Sequence, residues 1–141
     1  LTGRIAIGSY IHISAYVGLF GKNGIILNDF SNISMRSTVL SATDDFSGEF
    51  ITPSPVVPEG YSRTTGGPVV FEKHANVGAH CLILPNLTIS EGTAVGAMSL
   101  ITKSTVPWMV YVGIPAEPVK ERKRNLLELE KRLLETERQK R

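Results

Sequence analysis

A large apolar residue returns every six positions along most of this chain. From Phe71 to Val106 the sequence divides without a slip into FEKHAN, VGAHCL, ILPNLT, ISEGTA, VGAMSL and ITKSTV. Upstream the same frame gives IGSYIH, ISAYVG and Leu19, then LNDFSN, ISMRST and Val39. The first position is therefore Ile7, Ile13, Leu19, Leu27, Ile33, Val39, Phe71, Val77, Ile83, Ile89, Val95 and Ile101. With 42% hydrophobic residues overall, twelve such hits arise by chance about 3 times in 100,000. The fifth position holds Ile11, Val17, Ser31, Ser37, Thr43, Ala75, Cys81, Leu87, Thr93, Ser99 and Thr105, and only Asn23 departs from this small or aliphatic set. From a fifth position to the next first position is a step of two, and residues two apart on a strand face the same side. Each hexad thus predicts a short strand that turns one small and one large side chain inward. Its third and fourth positions predict a corner, with turn-tolerant residues such as Ser9, Asp29, Asn86, Gly92 and Ser104. Strand and corner repeated in this way build a solenoid, each coil about 4.8 Å from the last. An amphipathic helix needs a period near 3.6, which six does not supply.

The remaining composition narrows the class. The 141 residues suit one domain, and no apolar run approaches the roughly 20 residues of a spanning helix. The single Cys81 permits no internal disulfide and fits a reducing compartment. Net charge is +2, but from Val119 onward nine Lys/Arg face five Glu, whereas the rest of the chain holds six Lys/Arg and eight Asp/Glu. Residues 119 to 138 are predicted as an amphipathic helix, with Leu126, Leu129 and Leu133 in 3,4 spacing and Glu128–Arg132 as a surface pair. The basic run from Lys120 to Arg124 reads as a solvated face that attracts an anionic ligand, not as a nucleic-acid site. Trp108 and Pro115 are expected to cap the open end of the solenoid.

The pattern of aliphatic residue, Gly and small residue resembles that of the hexapeptide-repeat acyltransferases. That resemblance implies an all-β, left-handed parallel β-helix. Twelve hexads at three per coil make four coils. The β-helix domain is expected over 1–118, with one long loop at 41–68 inserted and a C-terminal helix at 119–141. Both breaks in the frame, GKNG at 21–24 and the long loop, follow a third hexad, so they are expected at the same corner one coil apart. The loop segment TPSPVVPEG carries three prolines that stiffen it. In the resembling family three prisms pack side by side, and such a loop helps to close a site between subunits of a homotrimer.

Members of the maltose and galactoside acetyltransferase type carry Ala-Thr-His at the start of this loop, with the His as general base. Here the same place reads Ala42-Thr43-Asp44. A hydroxyl acceptor needs a base, whereas an amine with pKa near 8 is already partly neutral. A carboxylate, Asp44 or Asp45, orients the amine and stabilises the ammonium that forms. The change therefore points from an O-acetyl to an N-acetyl acceptor. The loop also resembles that of bacterial surface-polysaccharide acetyltransferases, some of which act on nucleotide-linked amino sugars such as dTDP-4-amino-4,6-dideoxyglucose. The same resemblance implies acetyl-coenzyme A as co-substrate and a cytoplasmic enzyme. Thr102 and Lys103 match the pair that contacts coenzyme A phosphate or adenine, Lys120 matches a further basic position, and Ala79 and Ala97 match the pantetheine groove. His74, following the loop's return, is the alternative base. His80 and His12 are expected to be bland, Cys81 to be core, and no third histidine completes a metal site. Two rival readings are a saccharide O-acetyltransferase and a catalytically silent β-helical scaffold.

Overall fold

A computed structural model describes residues 1–52 and 55–141. Its strands wind into a parallel solenoid of three faces. Coil one contains β1 (Thr2–Ile7), β2 (His12–Ile13) and the start of β3 (Gly18–Leu27). Coil two runs from the end of β3 through β4 (Asn32–Ile33) and β5 (Thr38–Leu40). A two-stranded ribbon, β6 (Ala42–Asp44) with β7 (Thr64–Gly66), leaves the solenoid there. Coil three is β8 (Val69–Phe71), β9 (Asn76–Val77) and β10 (Leu82–Ile83), and coil four is β11 (Leu87–Ile89), β12 (Ala94–Val95) and β13 (Leu100–Ile101). The chain ends with β14 (Met109–Gly113), β15 (Ala116–Glu121) and α1 (Leu126–Gln139). Registers follow the hexads: Ile33 lies opposite Val77, Val77 opposite Val95, and Ile83 opposite Ile101.

Ten of the twelve first-position residues, from Leu19 to Ile101, are at most 4% exposed. Each contributes about 1.5–3 kcal/mol of apolar burial. Ile7 is 51% exposed and Ile13 is half-buried, because among the described residues no strand stacks beyond coil one to cover them. Fifth-position Ser31, Ser37, Ala75, Cys81, Leu87, Thr93, Ser99 and Thr105 are also buried. Polar members of this set largely bond backbone or one another, as Ser37 Oγ does to Gly78 O at 2.8 Å and Thr93 Oγ1 with Thr105 Oγ1 at 2.9 Å. The fourth position sits in the left-handed region at Tyr10, Tyr16, Phe30, Arg36, His74, His80, Asn86, Gly92 and Met98, with φ between 56° and 68°. Large side chains hold this costly conformation because the coils above and below fix each corner by backbone hydrogen bonds, such as Phe30 N to Ser9 O and His74 N to Asp29 O.

Four expectations change. The coil count rises from four to about five, because β14 stacks on β12 with Tyr111 opposite Val95. Sixteen residues separate those two where eighteen separate Val77 from Val95, so the frame of six ends before this turn does. The GKNG break is not a loop: β3 is continuous across it and takes up the extra residues as an irregularity in register, Gly3 lying opposite Gly21 but Ile5 opposite Ile25. Thr43 lies on the ribbon, its hydroxyl 3.5 Å from that of Thr65, since the chain leaves the prism after Ser41. The C-terminal helix starts at Leu126 rather than 119, because residues through Glu121 form β15, antiparallel to β14.

The first corner is a ladder of rings. Tyr10 stacks on Phe30 at 4.6 Å, Phe30 on His74 at 5.1 Å, and His74 meets Trp108 at 6.4 Å. Gly92 occupies the rung between the last two, and a β-carbon there would overlap the Trp108 ring. The helix docks on this ladder. Glu130 bonds Lys73 and, at 3.0 Å, His74 Nε2, while Arg124 lies 5.2 Å over Trp108. Leu126, Leu129 and Leu133 border the same hollow as Phe30. Burial alone would push the Glu130 carboxyl up, but the hydrogen bonds and charges of Lys73 and His74 bring it net below the usual range. No helix among the described residues is long and apolar enough to cross a membrane.

Candidate active site

The third corner gathers both interruptions of the frame. Asn23 donates from its backbone N–H to Ser41 Oγ at 2.9 Å and from its amide to Ser41 O at 2.8 Å. Ser41 Oγ in turn donates to Phe20 O at 2.8 Å, and Gly67 N reaches Ser41 O at 3.1 Å. Departure and return of the loop are thereby pinned to one point. Gly66, at φ 150°, lies so close to Ser41 O that no side chain fits there. The expected stiffening of the loop falls partly on residues 53 and 54, outside the described residues.

Beneath the ribbon lies a cavity of about 700 Å³, bordered by Phe20, Lys22, Leu40, Asp44, Pro55 and Thr64. That size lies within the range of small-ligand sites. Phe20 is 47% exposed and offers a flat apolar face. Lys22 Nζ, held at 2.7 Å by Thr64 Oγ1, offers a positive charge. Asp44 is half-buried on the cavity wall. Its neighbour serves otherwise. Asp45 is 6% exposed, accepts from Ser47 N at 2.7 Å and pairs with Arg63 at 2.7 Å, while Arg63 lies 4.4 Å over Phe50. Hydrogen bonds from Ser47, helped by Arg63, hold the Asp45 carboxyl below the usual range against its burial. Asp45 ties the loop to itself.

His74 is not brought to this cavity. It lies on the first corner, 7% exposed, between Phe30 and Glu130. His80 is exposed on the second corner, and Cys81 is buried, its thiol 3.2 Å from Gly96 O. Among the described residues, no three His, Cys, Asp or Glu converge as metal ligands. Ala79 and Ala97 stack on the second corner, where Met98 N donates to Ala79 O at 2.9 Å. Thr102 and Lys103 follow β13 on the third corner, both exposed. Lys120 lies on β15 opposite Val110, also exposed. Ala79 and Ala97 thus lie along one edge of the third face and Thr102 and Lys103 along its other edge, while Lys120 lies on the strand that extends the second face.

One group escaped the sequence reading. His12 Nδ1 lies 2.7 Å from Asn32 Oδ1, Asn32 Nδ2 donates to Asn76 Oδ1 at 2.7 Å, and the same amide lies 3.3 Å from Ser34 Oγ. This polar ladder runs along the outside of the second face. Its signal was present: three successive coils place His or Asn at the same outward, sixth position.

No protein-family model matches the chain. The dTDP-4-amino-4,6-dideoxy-D-glucose acyltransferase of Escherichia coli is 39% identical over 128 residues, 91% of this chain and 66% of that protein. The chain thus spans about two thirds of that relative's length. AntD, an N-acyltransferase from Bacillus cereus in complex with dTDP and 3-hydroxybutyryl-CoA, superposes with a TM-score of 0.90 at 45% identity, covering 95% of this chain and 71% of AntD. AntD has also been solved with substitutions at one aspartate and at one serine ten positions before it, and a serine variant holds dTDP-4-amino-4,6-dideoxyglucose with coenzyme A. A hexapeptide-repeat containing acetyltransferase from Vibrio cholerae shares the fold, with a TM-score of 0.71 at 20% identity over 85% of this chain and 64% of that one.

Proposed function

The chain belongs to the hexapeptide-repeat acyltransferases, and on that premise we propose that it transfers acetyl from acetyl-coenzyme A to the amino group of a nucleotide-linked amino-deoxy sugar. The observation that carries this reading is the Asp44 carboxylate on the wall of a cavity that also offers an aromatic face and a lysine. Phe20 supports the base of the nucleotide, Lys22 its phosphates, and Asp44 the amine of the sugar. The AntD variants support the same assignment. Their serine and aspartate stand ten residues apart, as do Ser34 and Asp44 here.

In the reaction the amine nitrogen attacks the thioester carbonyl. The C–N bond forms, the C–S bond breaks, and coenzyme A leaves as its thiol with the proton that the amine sheds. Asp44 accepts a hydrogen bond from the amine and stabilises the ammonium as charge develops. Asp45 acts indirectly, by holding the loop through Arg63. His74 serves the helix rather than the reaction. At the donor end, Thr102, Lys103 and Lys120 hold the anionic head of coenzyme A, and Ala79 and Ala97 leave room for the thin pantetheine arm. A backbone N–H near Ala97 polarises the carbonyl.

Ser34 lies on the second corner of the solenoid and Asp44 on the third. A homotrimer whose prisms pack with one chain's third corner against the next chain's second would bring the two into one site shared between subunits. Such substrates belong to the bacterial cytoplasm and to precursors of surface polysaccharide. The test is a screen of nucleotide-linked amino sugars and their hydroxyl analogues with acetyl-coenzyme A, followed by thiol release. Turnover of the amino sugar alone supports the proposal. Turnover of the hydroxyl analogue assigns O-transfer instead, and no turnover with either assigns a silent scaffold.

A further inference from the structure

The second corner of the solenoid is a vertical stack of turns. Its third hexad position holds Ala15, Met35, Ala79 and Ala97 in coils one to four. Backbone bonds fix the column: Met98 N to Ala79 O at 2.9 Å, His80 N to Met35 O at 3.0 Å, and Arg36 N to Ala15 O at 3.0 Å. Adjacent coils lie about 4.8 Å apart. An arm that enters this column from its C-terminal end therefore passes two alanines, Ala97 and Ala79, and then meets Met35. Met35 is 50% exposed, so its side chain stands off the corner instead of folding into the core.

A second observation marks this level as the place a ligand reaches. Ser34, the adjacent residue, is half-buried and lies 3.3 Å from Asn32 Nδ2. It also keeps, toward Asp44, the ten-residue spacing of the serine and aspartate varied in AntD. The family does not dictate the acyl group, since AntD was solved with a 3-hydroxybutyryl thioester.

We propose that Met35 sets the length of acyl group this chain accepts: its side chain closes the track just beyond the thioester, which leaves room for acetyl and excludes a four-carbon chain. The inference rests on the acyltransferase reading above and adds the residue that selects among donors. Met35 takes no part in bond making. It discriminates by bulk, and a misfit of methylene size changes the specificity constant by about 10- to 200-fold.

The experiment compares acetyl-, propionyl- and butyryl-coenzyme A at a fixed concentration of dTDP-4-amino-4,6-dideoxyglucose, with thiol release measured for the full chain and two variants. The unaltered protein is expected to favour acetyl over butyryl by at least tenfold in kcat/KM. Met35→Ala brings the two donors within about threefold, and Met35→Leu, of similar bulk, keeps the original ratio. Each ratio is internal to one variant, so turnover of acetyl-coenzyme A reports that the variant is folded. A ratio unchanged in Met35→Ala, or equal use of acetyl and butyryl by the unaltered protein, overturns the length limit alone. No thiol release from any donor overturns the acyltransferase reading, and the length limit with it.

Discussion

Replacing Asp44 by Asn removes one negative charge and leaves the shape of the cavity wall intact. Asp44 borders the cavity of about 700 Å³, and none of the ion pairs among the described residues engages its carboxylate. Its task in the proposed reaction is to accept a hydrogen bond from the amine and to face the ammonium as it forms. A hydrogen bond to a charged group contributes about 1.5–3 kcal/mol, and each 1.36 kcal/mol is tenfold in rate. Asp44→Asn should therefore lower kcat/KM for the amino sugar by about 10- to 150-fold. The thermal midpoint should hardly move, because a substitution that breaks no folded-state contact changes stability by about 0.5 kcal/mol or less. The assay is thiol release under limiting amino sugar, repeated from pH 7 to pH 9. The unaltered protein gains rate as the amine, with pKa near 8, loses its proton. The variant keeps its deficit at pH 9, where the free amine is abundant but no longer oriented. A kcat/KM within twofold of the unaltered protein would refute the role of Asp44. So would a fall in thermal stability that matches the loss of activity, since the carboxylate would then be structural.

Three other outcomes are expected. The helix latch should fail in acid: the Glu130 carboxyl sits below the usual range, so the docking it stabilises is complete above about pH 4.3 and is lost as pH falls through its depressed value. The single Trp108, 5.2 Å from Arg124, reports undocking by fluorescence. Glu130→Gln should abolish that acid transition, and a transition of unchanged midpoint in the variant would exclude the latch. Gly92→Ala should lower stability by about 1–3 kcal/mol in thermal unfolding. Tyr10, Phe30 and His74 tolerate the same φ on this corner, so the cost comes mainly from overlap with Trp108, and an unchanged midpoint would contradict that packing. Lys103→Ala should raise KM for acetyl-coenzyme A about fivefold, the equivalent of about 1 kcal/mol for an exposed charge pair, with kcat nearly constant. The effect should shrink in high salt, and a fall in kcat at constant KM would remove Lys103 from donor binding.

The solenoid itself was legible in the spacing of single residues. Leu19, Leu27, Ile33 and Val39, then Phe71 through Ile101, are each buried as their frame position demands. Periodicity is readable because every coil repeats the same local problem: one small and one large side chain inward, then a corner. The frame fails where the structure stops repeating. The residues of GKNG look like a loop, yet they stay in β3: the pairing with β1 resumes on either side of them, at Gly21 and Ile25, and Asn23 is bonded to Ser41. Val119 to Glu121 look helical beside so many charges, yet Met109 to Gly113 capture them as an antiparallel partner. Glu130 looks like a surface charge on an amphipathic helix. It is nearly buried, because Lys73 and His74 arrive from a coil more than fifty residues earlier.

Sequence alone determined the column and the corner from which the loop departs, since both depend on counting along one chain. Tertiary structure alone decided which charged groups are free to act. Asp45 and His74 have the chemistry of catalysts, but Arg63 occupies the first and Glu130 the second. Such partners come from distant parts of the chain, and pairing is a matter of distance in space, on which Coulomb and hydrogen-bond energies depend.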